Sequence, residues 1–150
     1  MDAVGSAKGL ADALARAREV RPKLSEATDK LNAALVNAEQ AIAALQLGVR
    51  ASVTMYSGPD SDPWYTNLVF GKDGKAWRLF VETGHDFHDG ESDSTPLTNS
   101  SRELRLRAVQ LLPELVHELI RAAEREIQRV EDGTSEICSL VATLTAGGAK

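Results

Sequence analysis

An apolar stripe at Leu10, Leu14, Ala17, Leu24, Leu31, Leu35, Ala38, Ile42 and Leu45 does most to constrain what this chain can fold into. Its spacings alternate four and three, with only Arg21 and Thr28 interrupting the register. That alternation is the seam of a long packed or coiled helix. The N-terminal third therefore reads as scaffold: a helix from about Ser6 to Leu47, with Gly48 placed to cap its C-terminus. Pro22 falls inside it. Proline removes a hydrogen bond and crowds the preceding turn, so the expectation is a kink there, or a tight junction between two helices that keep one register. Arg21 and Thr28 weaken the seam as a long uninterrupted coiled coil.

The period then switches to two. Val49, Ala51, Val53 and Met55 alternate with Arg50, Ser52, Thr54 and Tyr56, the pattern of a strand with one face on a core. A Ser-Gly-Pro-Asp loop follows, then strands over Tyr65–Phe70 and Lys75–Glu82, joined by a glycine-bearing hairpin at residues 71–74. Residues 83–99 are turn-rich and acidic, and the expectation is a mobile loop. Ser100, three residues before Glu103, forms a capping box that opens a second long helix. Val109, Leu112, Val116, Leu119, Ala123 and Val130 supply its stripe, widened by Leu115, Ile120 and Ile127. Pro113 predicts a kink or break in this helix. Gly133 is expected to end it, with Thr134 or Ser135 capping a short final helix to about Leu144 and a flexible tail over residues 146–150.

The order is helix, three strands, long helix, short helix. This predicts a single α+β domain over residues 1–150, with the helices packed on one face of a three-stranded antiparallel meander. At 150 residues and 43% apolar, the chain can bury a core without disulfides or metal. The lone Cys138 fits a reducing compartment and reads as a small buried hydrophobe. No signal-peptide core or membrane-spanning stretch occurs, so a cytoplasmic protein without a membrane partner is expected. A formal net charge of -5 disfavours general nucleic-acid binding.

Candidate sites are sparse, and no catalytic or cofactor-binding residue is assigned. His85, Asp86, His88 and Asp89 form the one cluster with ligand chemistry for a divalent ion, although their spacing matches neither a helical zinc motif nor a calcium loop. His117 reads as a helix-surface or core-edge histidine. Arg121, Arg125 and Arg129 stand four apart, but interleaved glutamates favour ion pairs along a wet helix over phosphate contacts. Aromatic residues gather in the meander. Trp77 and Phe80 must point to opposite faces of one strand, which leaves Phe80 and Val69 on the outer face, covered by the 83–99 loop or by a partner.

The expected function is a protein–protein interaction or self-assembling scaffold, with a second copy of the chain as the expected partner. Its interaction residues are Val69 and Phe80 on the sheet, and Leu31, Leu35, Ala38, Ile42 and Leu45 where the first helix pairs across a dimer axis. The alternatives are a small metal-dependent enzyme using the His85–Asp93 segment and a weak nucleic-acid binder using the arginine stripe.

Overall fold

The computed structural model describes residues 3–87 and 92–148. The chain divides into two compact units, Met1–Ala38 and Glu39–Lys150. The division falls inside the first helix, α1, which runs over Ala3–Ala44 as one element with Pro22 inside it.

Up to Ala38, α1 is a single amphipathic helix. The Thr28 hydroxyl donates to the Leu24 carbonyl at 2.8 Å, and Lys30 pairs with Glu26 one turn earlier at 3.0 Å. Leu10, Leu14, Val20 and Leu24 are exposed, whereas Leu35 is buried. The helix ends three residues earlier than expected. Leu45 and Gln46 donate back to Ile42 and Ala43, a tightened last turn, and Gln46 takes a left-handed backbone with φ 52°.

The second unit is an antiparallel α+β layer. Among the described residues four strands follow one another in order: β1 (Ala51–Ser57), β2 (Trp64–Asp73), β3 (Ala76–His85) and β4 (Asp93–Pro96). The expected three-stranded meander is thus corrected to four strands. Part of the expected 83–99 loop is regular structure: β3 continues to His85, Asp93 pairs with Thr83, Pro96 pairs with Phe80, and a 3-10 turn follows at Leu97–Asn99. Short polar β4 was hidden because four residues reading Asp-Ser-Thr-Pro carry no apolar alternation, and only an existing edge can recruit them. In the β2–β3 hairpin Asp73 pairs with Ala76, so Gly74 (φ 63°) is the first central turn residue and Gly71 sits inside the strand opposite Arg78.

Alternation sorts the sheet into two faces. Ala51, Val53, Leu68, Phe70, Leu79 and Val81 share one, and all are buried. The second helix, α2 (Arg102–Gly148), lies against β1 and β2 and buries Ala108, Leu111, Leu115 and Leu119. Leu97 completes this core from the 3-10 turn, which touches both β3 and α2.

Helix α2 begins one residue later than expected. Ser101, not Ser100, accepts the Leu104 N–H on its side chain, while the Ser100 hydroxyl donates to the Leu97 carbonyl. It also runs straight through Gly133, so the expected short final helix is corrected to a continuation of α2. Gly133 does not adopt the positive φ of a terminating glycine, and Thr134 satisfies its hydroxyl on the Val130 carbonyl instead of capping a new helix. The part of the expected tail up to Gly148 is likewise helical, and residues 149–150 lie outside the described residues.

Candidate interaction surface

The two sides of α2 carry different codes. Ala108, Leu111, Leu115 and Leu119 face the sheet. Two residues before each of the first two, at Leu106 and Val109, a second series begins and continues through Pro113, Val116, Ile120, Ala123, Ile127, Val130, Thr134, Ile137, Val141 and Leu144. Its spacing is three and four without exception, the a/d repeat of a coiled-coil seam. A shift of two residues turns about 200° around a helix of 3.6 residues per turn, so the seam starts opposite Ala108 and Leu111; at Val116 and Ile120 it stands about 100° from Leu115 and Leu119, and farther on it winds toward the phase of the sheet-facing stripe. Leu106, Val109, Ile120, Ile127, Val130, Ile137, Val141 and Leu144 are between 44% and 65% exposed.

The seam is dry in composition. Thr134 is its one hydroxyl, already bonded within the helix to Val130 at 2.8 Å. Pro113 contributes an apolar ring, and its carbonyl accepts from His117 Nδ1 at 3.0 Å. The charges stand beside the seam or behind it. Arg121 pairs with Glu118, and Arg129 with Glu126 at 2.8 Å, which are the intrahelical ion pairs that the arginine stripe suggested.

After Leu119, α2 buries no residue. Twenty-nine residues of helix containing Gly133 and several Thr, Val and Ile are poorly sustained by propensity alone, because most helical stability in water comes from packing an apolar face. Sequence reasoning merged the two stripes of α2 and stopped at Gly133, so Leu106, Ile137, Val141 and Leu144 were missed. The unbroken three-four spacing across Gly133 was the signal that could have found them. Cys138, expected as a buried hydrophobe, is instead exposed on this distal stretch.

The outer sheet face is covered only in part, around Val69. Val69 and Phe80 pair across β2 and β3 on that face, as expected, yet Val69 is fully buried and Phe80 half-buried. Arg50, just before β1, reaches Glu82 on β3 at 2.9 Å. Register places the joining of these two strands over the Val69 row of β2. Gly71 makes room, since a Cβ there would stand 3.2 Å from the Arg50 stem and 3.4 Å from the Phe80 ring.

The remaining expected contact residues divide. Leu31 is half-buried, Leu35 and Ile42 are buried, Ala38 is half-buried, and Leu45 lies exposed beyond the helix end. Ile42 lines a hollow with Leu47, Phe70 and Trp77, whose rings stack at 5.9 Å. One turn before Ile42, Glu39 accepts the Leu79 N–H at 2.8 Å, just past the end of the β3–β4 pairing.

His85 is drawn toward a residue that its sequence neighbourhood does not contain. Pairing of Trp64 with His85 brings Asp62 alongside, and His85 Nε2 lies 2.6 Å from Asp62 Oδ1. Nδ1 accepts the Phe87 N–H at 3.2 Å. With Nδ1 accepting, the proton sits on Nε2 and is donated to the carboxylate, so both ring nitrogens are engaged within the protein. His88 and Asp89 lie outside the described residues, among which no group of three His, Cys, Asp or Glu side chains is placed to hold a metal ion. Among those residues no helix is long and apolar enough to cross a membrane.

No family model, no curated protein and no solved structure matches the chain.

Proposed function

We propose that this protein is a self-assembling scaffold that acts by protein–protein contact through its long helices. The observation that carries this reading is the exposed a/d seam of α2, which continues for seven turns beyond the last buried residue of that helix. Burying the exposed half of an Ile, Val or Leu side chain stabilises by about 1 kcal/mol. Eight such residues supply on the order of the 4–15 kcal/mol that association costs in lost motion. A seam of this length without a partner is a surface that soluble proteins rarely leave open.

Other surfaces offer less. The sheet edges are poor templates for strand addition, because β1 is bulged between Thr54 and Tyr56 and β4 is four residues long, ending in proline. Exposed, unpaired Cys138 fits a reducing compartment, which supports placing the scaffold in the cytoplasm.

The test is absolute mass by light scattering over a hundredfold range of concentration. A mass that rises above that of one chain, and returns to it when Ile127→Glu places a charge in the seam, is the expected result. A single-chain mass at every concentration would remove self-assembly as the function.

A further inference from the structure

We propose that the occupant of the α2 seam is the α2 seam of a second copy, paired antiparallel about a two-fold axis that crosses the helix between Arg121 and Ala122. The proposal rests on the scaffold reading above and adds the partner, the orientation and the register.

The argument starts from charge. With Leu106 as position a, the residues flanking the seam are Gln110, His117, Glu124, Glu131 and Cys138 at e, and Arg105, Leu112, Leu119, Glu126, Gly133 and Leu140 at g. A parallel in-register pair sets each g residue beside the e residue five positions on in its partner. That juxtaposes Glu126 with Glu131 twice, and like charges at such positions destabilise. The parallel pair also suffers at d, where Val109, Val116, Val130 and Ile137 are β-branched, whereas two-stranded parallel coils favour leucine.

Turning one helix around brings e positions beside e positions. One heptad register, with Ile127 facing Val130, again sets Glu124 against Glu131. The next, with Ile120 facing Ala123, sets Glu124 beside His117 and Glu131 beside Gln110. His117 Nδ1 donates to the Pro113 carbonyl, so Nε2 is the atom that meets the incoming carboxylate, and it donates to that carboxylate as the imidazolium, in which both ring nitrogens carry a proton. The layers of this register are Leu106 with Ile137, Val109 with Thr134, Pro113 with Val130, Val116 with Ile127, and Ile120 with Ala123. Each occurs twice, and Thr134 brings no unsatisfied hydroxyl.

Geometry permits it. The seam begins on the side of α2 away from the sheet, and beyond Leu119 it runs along a stretch where no residue of α2 is buried, so a second helix can lie along it. The paired span, residues 106–137, is about 47 Å long at 1.5 Å per residue. At one helix width it covers about 1,000 Å² in total, near the lower limit for a specific interface. A dimer that dissociates on dilution follows. The stripe of α1 is the weaker candidate for a second-copy seam, because Arg21 and Thr28 stand in its register.

The experiment uses the full chain in a Cys138→Ser background, with Leu106→Cys and Ile137→Cys made as separate single-cysteine proteins. Facing a and d positions lie within disulfide reach, and residues thirty apart along a helix do not. Under mild oxidation an equimolar mixture is expected to give the Leu106→Cys to Ile137→Cys dimer, while neither protein alone cross-links. His117→Lys is expected to tighten the dimer about two- to five-fold, since it places a full charge beside Glu124 at both ends. Cross-linking of each protein with itself would mean a parallel pair and overturn the antiparallel assignment, while the oligomeric mass left the scaffold reading standing. An oligomeric mass with no cross-link in any mixture would move the contact to another surface. A single-chain mass, with Ile127→Cys closing a disulfide to Leu24→Cys within one chain, would give the seam to the chain's own N-terminal stripe and overturn the second-copy assignment together with self-assembly.

Discussion

The two stretches of α2 are made of similar residues and do opposite things. Over residues 102–119 the helix has two apolar sides, and the one bearing Ala108, Leu111, Leu115 and Leu119 is sealed against β1 and β2. Over residues 120–148 no residue is buried, although Ile127, Val130, Ile137, Val141 and Leu144 are as apolar as anything in the core. The difference lies in phase. The buried stripe fits one side of a twisted sheet and fades where the sheet ends, whereas the seam keeps a seven-residue repeat from Leu106 to Leu144, which only another helix can match over such a length. Stability therefore concentrates in the first stretch, and the proposed association falls to the second.

The sharpest way to break this contrast is a pair of truncations. Leu115→Ala is expected to cost about 2–5 kcal/mol in denaturant unfolding at any protein concentration, since Leu115 is fully buried. Ile127→Ala, measured where the chain is monomeric, is expected to stay within about 0.5 kcal/mol of the parent. Equal losses would mean that the distal stretch belongs to the core.

Smaller effects sharpen the picture of the sheet half. A Cβ at Gly84 would stand 2.3 Å from the Tyr65 hydroxyl, because the Tyr65 ring lies across the glycine it pairs with. Gly84→Ala is expected to lower stability by about 1–3 kcal/mol in the same unfolding measurement, with no effect on dimer affinity. The Arg50–Glu82 pair is half-exposed on the arginine side, and a double-mutant cycle is expected to return a coupling of about 0.2–1 kcal/mol that shrinks with added salt. Gln46→Gly is expected to raise stability by about 0.5 kcal/mol, because Gln46 holds a left-handed backbone at the end of α1.

Element type and order were legible from periodicity alone. The helical stripe of residues 10–45, the alternation from Val49 to Tyr56 and the Gly71–Lys75 hairpin all rest on local spacing, which a linear reading captures. What escaped was set by partners distant in the chain. Strand β4 exists because the edge of β3 recruits Asp93–Pro96, and Asp62 meets His85 because Trp64 pairs with that residue. Val69 is fully buried on the sheet face where Arg50 and Glu82 pair, two charged residues that a hydropathy pattern assigns to solvent. Gly133 misled for a different reason. Glycine costs a helix interior only about 1 kcal/mol, so it ends a helix only where nothing favours continuation, and the seam on both sides of it does. Reading the second helix as one broad stripe joined residues that the structure buries, Leu115 and Leu119, with residues that it leaves exposed, Ile120 and Ile127.

The measurement that bears most directly on the seam is amide hydrogen exchange along α2 at two protein concentrations. Residues 104–119 should be protected to the same degree at both, because their packing is within the chain. Residues 124–143 should exchange rapidly in dilute solution, where an unpacked helix opens readily, and become protected in concentrated solution, with Ile127→Glu abolishing the gain. Protection of the distal stretch that is strong and independent of concentration, or absent at every concentration, would contradict a seam that a second copy fills.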